Sequence, residues 1–375
     1  MFTLTADQEL FEATTAQFLA AHYGSERIRQ MRYAPAFEPE IWQRGAELGW
    51  TSLLAAEADG GGSISGNGLL DLLVVAFHFG RHAAPGPLLG TNVVALALGR
   101  WGSAAQRQGP LAGILSGVGV AAWAGPVGQA ARVQVDDTGE HLVLNGAVAC
   151  VDGAADAHHL VVSAEIDQSI TQYLVPLVSP GISLSPLEGL DLTRRFHRVT
   201  FTNVRLPTGA RLGAPGEGSA QDAELLDVMA VLQAGEIAGA MHRAFEITLQ
   251  WTLDRYSFGR PLASYQEIKH RVADLRMHLE ASEAAAARAA RAVGERAPDA
   301  STWAAAAKAY TGRHGPEMIQ DCIQLHGGIG VTFEHDLHLF LRRAVTDAQL
   351  YGTPESASRR VAQLIETPES LVAAR

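Results

Sequence analysis

The two stretches that decide the fold lie in the last third of the chain. Residues 254–262 read Asp-Arg-Tyr-Ser-Phe-Gly-Arg-Pro-Leu, and residues 323–332 read Ile-Gln-Leu-His-Gly-Gly-Ile-Gly-Val-Thr. Taken alone, each stretch has an ordinary structural interpretation. Arg255 would be a solvated arginine at a helix end, and Gly327-Gly328 would stop a helix. The interpretation of both therefore depends on the elements that surround them.

Helix-forming segments surround both stretches. Residues 224–254 contain no proline, and residues 265–293 are rich in Ala, Leu, Glu and Arg. Residues 305–325 and the last segment of the chain continue this pattern. Alanine-rich helices pack closely, either in the core of a bundle or against another subunit. The sequence therefore predicts a C-terminal four-helix bundle over residues 216–375.

Upstream of this bundle the sequence is rich in β-forming residues. Short runs of them lie at 131–135, 141–144, 160–162 and 198–201, and turns rich in Gly, Asp and Asn separate the runs. Short strands at close intervals are typical of a compact antiparallel barrel or sandwich. We therefore expect a middle antiparallel β-barrel domain over residues 119–215.

The first third of the chain has a helical pattern. Thr5, followed closely by Gln8, has the composition of a capped helix start. Residues 69–80 and 92–101 are largely apolar, and a helix that is apolar on most faces lies in the middle of a bundle. The sequence predicts an N-terminal α-helical domain over residues 1–118, and the whole chain is expected to be an α+β multidomain protein.

The composition excludes several classes of protein. The chain has 29 Lys and Arg against 40 Asp and Glu, a formal net charge of −11, whereas a nucleic-acid-binding protein carries a basic stripe. Cys150 and Cys322 match no metal or redox spacing, so we expect two buried thiols and no metal site. The sequence shows no signal peptide and no run approaching the roughly 18 apolar residues of a membrane span. These observations predict a cytoplasmic protein that binds neither nucleic acid nor membrane.

The two deciding stretches are most informative when they are considered together. With residues 265–270 and 341–344, which read Tyr-Gln-Glu-Ile-Lys-His and Leu-Arg-Arg-Ala, they closely resemble the two signature regions of the acyl-CoA dehydrogenase superfamily. The chain is similar to the bacterial FadE-type subunits of that superfamily. The resemblance implies a helix–barrel–helix fold, the cofactor FAD, an acyl-CoA substrate and a flavoprotein that accepts the electrons. It also implies a homo- or hetero-oligomer, a dimer of dimers, in which each FAD bridges two subunits.

The resemblance assigns cofactor contacts to specific residues. Arg255, Ser257 and Phe258 match the family positions that reach the neighbouring subunit's FAD, and an arginine suits a diphosphate because its guanidinium is a forked, permanently charged donor. Gln324 offers an amide to polar cofactor atoms, and Gly327-Gly328 lets the backbone approach without a Cβ in the way. The predicted cofactor-binding residues are Arg255, Ser257, Phe258, Gln324, Gly327, Gly328 and Thr353.

The family's catalytic glutamate is missing at both of its usual positions. In the family reaction this glutamate takes the α-proton of an acyl-CoA while the flavin accepts the β-hydride. Tyr351 and Met229 match the two positions, so no catalytic residue is identified. Neither is an ordinary base near neutral pH, since a phenol has a reference pKa of about 10 and a thioether does not titrate. Glu236 and Asp347 lie within two helical turns of these positions, and we expect each to be a surface or interhelix charge.

The residues that would face the chain's own flavin also differ from the family pattern. Family members carry a Thr-Glu-Pro segment and a Trp-Ile-Thr segment there, and the corresponding residues are 124–126, Ala-Gly-Pro, and 150–152, Cys-Val-Asp. Asp152 beside a reduced, anionic flavin would be electrostatically unfavourable unless it were paired or protonated. The retained motifs are thus those that serve a neighbour's FAD, and the lost ones are those that would hold the chain's own.

Three hypotheses about function follow from this asymmetry. The first is α,β-dehydrogenation of an acyl-CoA thioester by a heteromeric complex, in which this chain lacks the base and shares FAD with a paralogous subunit. The family resemblance supports it, because heterotetrameric members of this type act in bacterial breakdown of steroid side chains. The second is a homo-oligomeric oxidase or monooxygenase acting on a tailored metabolite, with Tyr351 lining the substrate pocket. The third is a catalytically silent scaffold.

Overall fold

The structure is a computed structural model, and it describes residues 4–32, 37–126 and 133–365. The chain passes from a helical region through a sheet region into a second helical region. This confirms the order of structure predicted from the sequence. Residues 131 and 132 of the first predicted strand lie outside the described part of the chain.

The N-terminal region is helical because capped starts and apolar segments alternate in its sequence. Thr5 caps the first helix, since its Oγ1 accepts a hydrogen bond from the Gln8 amide at 3.3 Å and its own amide donates to Gln8 Oε1 at 3.0 Å. The two apolar segments form helices that are almost entirely buried, as predicted. The helices are α1 (Ala6–His22), α2 (Ser25–Gln30), α3 (Pro39–Glu47), α4 (Gly68–His82), α5 (Leu88–Trp101), α6 (Ala104–Gln106) and α7 (Ala112–Leu115).

The described residues of the middle region form an eight-stranded sheet. Its hydrogen-bonded order is β6-β7-β3-β2-β4-β5-β8, and β1 pairs with β4 outside this path. Most pairings are antiparallel, as predicted, but β4 pairs in parallel with both β1 and β2. The strands are β1 (Ala121–Ala124), β2 (Val133–Asp137), β3 (His141–Asp152), β4 (His159–Ile166), β5 (Ser169–Pro176), β6 (Ile182–Leu187), β7 (Phe196–Pro207) and β8 (Arg211–Leu212).

The C-terminal region consists of long helices with small residues on their contact faces. Its first helix has 37 residues and is buried over most of its middle. A two-stranded hairpin follows that helix directly. The elements are α8 (Gly218–Asp254), β9 (Tyr256–Ser257), β10 (Arg260–Pro261), α9 (Gln266–Gly294), α10 (Ala300–His326), α11 (Leu337–Gln349) and α12 (Pro354–Ile365).

Two glycines allow the helical regions to touch backbone to backbone. A Cβ on Gly80 of α4 would clash with the carbonyl oxygen of Glu236 on α8. A Cβ on Gly239 would clash with the carbonyl oxygen of Phe77 on α4. Because glycine lacks that atom, the two helices cross at close range. This crossing buries Glu236 between the N-terminal and C-terminal regions.

The hydrophobic core has two parts. One cluster joins buried residues of both helical regions, and the other lies within the sheet. Trp123 of β1 belongs to the helical cluster, so this strand is a place where the sheet meets the helices. Of the two cysteines, Cys322 is buried as predicted and Cys150 is half-buried.

Candidate functional site

The first signature stretch forms a projecting hairpin at the end of α8. Ser257 of β9 pairs with Arg260 of β10, and the Tyr265 hydroxyl donates a hydrogen bond to the Ser257 carbonyl oxygen at 2.8 Å. Phe258 and Gly259 make the turn with positive φ angles of 50° and 79°. The Phe258 ring is 98% exposed. The hairpin thus exposes a large aromatic side chain on the surface of this subunit.

The second signature stretch leaves backbone open at the end of α10. Gly327 has φ 65° and ψ −141°, a combination that glycine alone adopts without strain. A Cβ added to Gly327 or Gly328 would meet nothing within 4 Å, and Gln324 is exposed one turn earlier. The peptide groups here are therefore accessible to an incoming ligand.

The tertiary structure brings the two stretches together through aromatic contacts. Trp251, in the last turn of α8, stacks on His326 at the end of α10, with ring centroids 5.1 Å apart and planes 20° apart. The Arg255 guanidinium lies over the same indole, 5.7 Å from its centroid. Arg255 and the Gly327-Gly328 backbone thus belong to one continuous surface, although 72 positions separate Arg255 from Gly327 in the sequence.

This surface fits the diphosphate and adenosine end of FAD. It combines a guanidinium with open peptide groups, and both are donors for phosphate oxygens. Apolar side chains surround these donors, and exposed apolar groups of this size mark interaction sites. They are Leu253, Tyr256, Phe258, Ile329 and Val331, each more than 45% exposed.

Tyr351 lies apart from the Arg255 surface and packs against strand β1 of the sheet. Its ring stacks on Trp123 of β1 with centroids 5.2 Å apart and planes 14° apart. Its hydroxyl donates a hydrogen bond to the Trp123 carbonyl oxygen at 3.1 Å. Burial, reinforced by the nearby charge of Asp152, raises the pKa of the Tyr351 phenol above its usual range. The Tyr351 phenol therefore stays neutral at physiological pH.

Hydrogen bonds from two buried side chains hold the turn at Tyr351 in place. Tyr351 has φ 56° and Gly352 has φ 121°. The carbonyl oxygen of Leu350, just before the turn, accepts hydrogen bonds from Lys308 Nζ at 3.0 Å and from Gln233 Nε2 at 3.1 Å. Lys308 also donates to Gln233 Oε1 at 2.6 Å and to the Asp347 carbonyl oxygen. The Lys308 amino group thereby caps the C-terminal end of α11 and holds the turn in place.

Met229, matched to the second glutamate position, and Thr353, a predicted cofactor contact, both make structural contacts. Met229, on α8, is buried in the helical cluster, as expected for an apolar thioether. Thr353 begins α12, where its Oγ1 accepts a hydrogen bond from the Ser356 amide at 3.2 Å. Thr353 is therefore placed with Tyr351 and not with the Arg255 surface.

Glu236 and Asp347 are not surface charges. Glu236 is 1% exposed and Asp347 is fully buried. The expectation of a surface charge is therefore wrong for both residues, and the expectation of an interhelix charge is supported. Both lie beside Arg194, whose Nη2 is 3.0 Å from Asp347 Oδ1 and forms an ion pair with Glu236. Arg194 Nη1 donates to Asp152 Oδ2 at 2.8 Å. Asp152 is thus paired, as its position required.

A second buried arginine extends this network. Arg343 Nε donates to Asp191 Oδ2 at 2.6 Å, and its Nη1 lies 3.4 Å from Glu236 Oε2. Its Nη2 donates to Thr193 Oγ1 at 2.5 Å and to the Ala84 carbonyl oxygen at 2.8 Å. The network therefore joins α4, the segment before β7, α8 and α11. We refer to Asp152, Asp191, Arg194, Glu236, Arg343 and Asp347 as the buried ion network.

Burial and charge act on these carboxyl groups in opposite directions. Burial raises the pKa of Asp347 well above its usual range, and it also raises the pKa of Asp152. At Asp191 burial acts the same way, but the charges of Arg343 and Arg194 outweigh it, so the pKa of Asp191 is lowered. The arginine charges therefore keep Asp191 ionised, whereas burial favours the neutral form of Asp347 and Asp152.

Sequence reasoning did not identify Arg194 as a central residue. Its signal was the Arg194-Arg195 pair between two β-forming runs, close to Asp191. A pair of arginines in a loop ordinarily indicates solvent exposure, so the sequence alone gave no reason to place one of them in the core.

On the side where the resemblance would place the chain's own flavin, aromatic and charged side chains lie against the sheet. The Trp123–Tyr351 stack lies at the seam between sheet and helices, and the Asp152–Arg194 pair lies beside it. The contrast with the open Arg255 surface is one of charge as well as access, since Asp152 brings a carboxyl group to a flavin-facing position. The residues present fit FAD on the Arg255 surface and do not fit it on this side.

The described residues limit two further possibilities. None of the helices within residues 4–32, 37–126 and 133–365 combines the length and hydropathy needed to cross a membrane. Within the same ranges, His, Cys, Asp and Glu side chains form no group of three or more that could hold a metal ion.

Known proteins resemble the chain along almost its whole length. The acyl-CoA dehydrogenase N-terminal domain family matches residues 5–118, and the C-terminal domain family matches residues 216–365. Acyl-CoA dehydrogenase IpdE2 of Mycolicibacterium smegmatis is 30% identical over 360 residues, which cover 96% of this chain and 98% of that protein.

Solved structures show the same extent of similarity. A variant of the Tcur3481-Tcur3483 steroid ACAD has a TM-score of 0.86 at 27% identity and covers 98% of this chain and 99% of its own. The ChsE4-ChsE5 complex from Mycobacterium tuberculosis has a TM-score of 0.87 at 25% identity and covers 98% and 100%. With the matches to both family domains and the 30% identical relative, these similarities show that the chain belongs to the acyl-CoA dehydrogenase family.

Proposed function

We propose that the chain is the base-lacking subunit of a heteromeric acyl-CoA dehydrogenase and completes the FAD site of a paralogous subunit. One observation carries the proposal. Tyr351, at the family position of the glutamate, is stacked on Trp123 and neutral, whereas Arg255 and Gly327-Gly328 form an open surface. A neutral phenol on one side and an open surface of hydrogen-bond donors on the other suit a subunit that serves its neighbour's cofactor.

Two similar structures support a heteromeric arrangement. One is the ChsE4-ChsE5 complex, and the other is the Tcur3481-Tcur3483 steroid ACAD. Each name joins two different chains, and the second is a steroid enzyme. We therefore propose a paralogue as the partner and a steroid-type acyl-CoA as the substrate class.

In the proposed reaction this chain binds and positions, and its partner performs proton transfer. Arg255 would donate its forked guanidinium to the FAD diphosphate, and the Gly327-Gly328 backbone and Gln324 would donate to polar atoms nearby. Ser257 and Phe258 would cover the adenosine end. FAD, when bound, accepts the β-hydride of the acyl-CoA and passes electrons to an acceptor flavoprotein. The partner's carboxylate would take the α-proton.

Three further predictions, on Thr353, the domains and the location, are part of this proposal. Thr353 stays a predicted cofactor contact; its Oγ1 caps α12, and it lies beside Tyr351 and apart from the Arg255 surface. The division into residues 1–118, 119–215 and 216–375 is proposed as the domain organisation. A cytoplasmic location, in the same compartment as the partner and the electron acceptor, is proposed as well.

The deciding experiment compares the chain alone with the chain in complex with a paralogue that carries the glutamate. We expect the chain alone to bind no FAD, and the purified complex to hold one FAD per pair of unlike subunits. The measurements are flavin absorbance per protomer and the mass of the complex. If the chain alone held one FAD per subunit and oxidised an acyl-CoA, the proposal would be wrong.

Matched arginine variants locate the site. Arg255→Ala should lower the FAD content of the complex at least tenfold, because a charge-assisted contact to the diphosphate is lost. Arg313→Ala is the control, since Arg313 lies on α10 with its side chain 71% exposed. Equal FAD contents in the two variants would contradict the role of Arg255.

A further inference from the structure

The backbone of Arg255 is fixed at the junction of α8 and the hairpin. Its amide donates a hydrogen bond to the Trp251 carbonyl oxygen at 2.9 Å, which completes the last turn of the helix. Its carbonyl oxygen accepts a hydrogen bond from the Leu262 amide at 2.8 Å, beyond the hairpin. The side chain of Arg255 is exposed. Only the guanidinium therefore remains to be positioned.

An aromatic ring, and not a carboxylate, lies against that guanidinium. Within residues 4–32, 37–126 and 133–365, Arg255 forms no ion pair. Asp254, its neighbour in the sequence, accepts a hydrogen bond from Gln250 Nε2 at 2.9 Å. The guanidinium lies instead over the Trp251 indole, 5.7 Å from the ring centroid, at a distance where a cation is attracted to the ring face. The positive charge of Arg255 is thus held without being neutralised.

A stack with His326 holds the indole in turn. The two ring centroids lie 5.1 Å apart, and the planes are 20° apart. His326 Nδ1 donates a hydrogen bond to the Cys322 carbonyl oxygen at 2.8 Å. The His335 ring packs against His326 at 62°, with centroids 4.5 Å apart. Aromatic pairs at these separations attract each other beyond the area that they bury, so Trp251 rests on a ring that is itself fixed.

His326 is suited to this place because it is uncharged. It is 4% exposed, and a carbonyl oxygen can only accept a hydrogen bond, so Nδ1 carries the proton of the neutral ring. Burial lowers the pKa of His326, and the hydrogen bond to the Cys322 carbonyl oxygen opposes this, while the nearby His335 adds to it. The imidazole is therefore neutral at physiological pH and brings no second positive charge near Arg255.

From these contacts we infer that Trp251 and His326 are positioning residues of the proposed FAD surface. Trp251 holds the Arg255 guanidinium on its indole face. The Trp251–His326 stack keeps that guanidinium in register with the Gly327-Gly328 backbone, which follows His326 directly. Both rings act through Arg255 and not through contact with the cofactor. The inference rests on the proposed function, because it concerns the surface that would bind FAD.

The physical reason is preorganisation. An exposed arginine populates many rotamers, and a ligand that selects one of them pays for the entropy that is lost. A ring that holds the guanidinium beforehand lowers this cost. The attraction between cation and ring also strengthens when a ligand excludes water. Loss of the indole face should therefore weaken FAD binding about tenfold.

The test is a double-variant cycle on FAD affinity, measured by flavin fluorescence titration of the flavin-free complex with the paralogue. Trp251→Leu should raise the Kd of FAD about tenfold, and Trp251→Phe, which keeps an aromatic face, should raise it less than threefold. In an Arg255→Ala background, Trp251→Leu should change the Kd less than twofold, because no guanidinium remains to be held.

A second tryptophan provides the matched control. Trp303 also carries an arginine, since the Arg288 guanidinium lies 4.8 Å from the centroid of its ring. It lies at the opposite end of α10 from His326. Trp303→Leu should therefore leave the Kd of FAD unchanged.

A readout without cofactor covers the case in which Trp251→Leu fails to fold. The fluorescence of Trp251, obtained as the difference between the native chain and Trp251→Phe, should change when Arg255→Ala is introduced. His326→Phe keeps the stack and should leave the Kd of FAD within threefold of the native value, whereas His326→Ala should raise it about tenfold. The unfolding temperature of each variant reports its folding separately.

Two outcomes would overturn the inference. One is a native Kd in folded Trp251→Leu. The other is an equal fold-change in both Arg255 backgrounds, since the indole would then contact FAD itself or act only through folding. Failure of the proposed function is different, because the chain alone would then hold one FAD per subunit, or Arg255→Ala would leave the FAD content of the complex unchanged.

Discussion

The hydroxyl of Tyr351 donates a hydrogen bond to the carbonyl oxygen of Trp123 at 3.1 Å, while the two rings stack 5.2 Å apart. A tyrosine from the turn before α12 is thereby fastened to a strand of the sheet. Both groups of the phenol are used, the ring for packing and the hydroxyl for a bond to the backbone. Tyr351, which the family resemblance matches to the glutamate position, thus joins two regions of the chain.

Tyr351→Phe tests whether this joint is structural. The ring stack is kept and one hydrogen bond is lost, so the free energy of unfolding should fall by about 1 kcal/mol. Turnover by the complex with the paralogue should not change. Urea unfolding and steady-state kinetics measure the two quantities. A tenfold or larger fall in kcat with unchanged stability would instead favour altered chemistry in which Tyr351 acts on the substrate.

Arg194 should be among the residues most sensitive to replacement. Arg194→Met leaves the carboxyl groups of Asp152 and Glu236 buried beside an apolar side chain, which should cost about 3–5 kcal/mol of stability. Combining it with Glu236→Gln should recover part of the loss, because the stranded charge is removed. Urea unfolding of the two single variants and the double variant completes the cycle, with Arg313→Ala as an exposed control. Additive losses would show that the pair does not interact.

Asp222 should make stability depend on pH. Its Oδ1 accepts hydrogen bonds from Ser163 at 2.5 Å and Gln172 at 2.7 Å, which ties α8 to the sheet. Burial raises the pKa of Asp222 from 3.8 to about 6, and the two hydrogen bonds oppose the rise. Because the folded pKa is higher, the group's contribution is fully present below pH 3.8 and is lost as pH rises through 6.

Asp222→Asn isolates that contribution. A difference of about 2 in pKa corresponds to about 3 kcal/mol, so the variant should exceed the native chain in stability at pH 7.5 and lose this advantage near pH 4. Urea unfolding of both proteins across this range provides the comparison. Parallel stability curves for the two proteins would contradict the linkage.

Phe258 should matter to assembly and not to folding. Its ring is 98% exposed in the single chain, so Phe258→Ala should leave the unfolding temperature of the isolated chain unchanged. In the complex with the paralogue, loss of a buried aromatic contact should raise the Kd of association about tenfold, which corresponds to about 1.4 kcal/mol. Val178→Ala is the matched control, since Val178 is 92% exposed between β5 and β6. Equal Kd values for the two variants would remove Phe258 from the interface.

Several features of the fold could be predicted from the sequence for local reasons. The capped start at Thr5 and the apolar segments that became α4 and α5 depend on residues close together in the chain. The same holds for the runs that became β3, β4 and β7, since side-chain periodicity reports burial directly. The parallel pairing of β4 with β1 and β2 could not be predicted, because register between distant strands leaves no local signal.

The sequence by itself determined the order of helical and sheet regions and the family, since both depend on residue identity and local pattern. Only the tertiary structure decided which charges lie inside. Glu236, Asp347 and Arg194 are spread over 154 positions, yet they share one buried network. The reason is physical: a charge can leave water only when an opposite charge is brought to it, and that requires long-range contacts formed by packing of the whole chain.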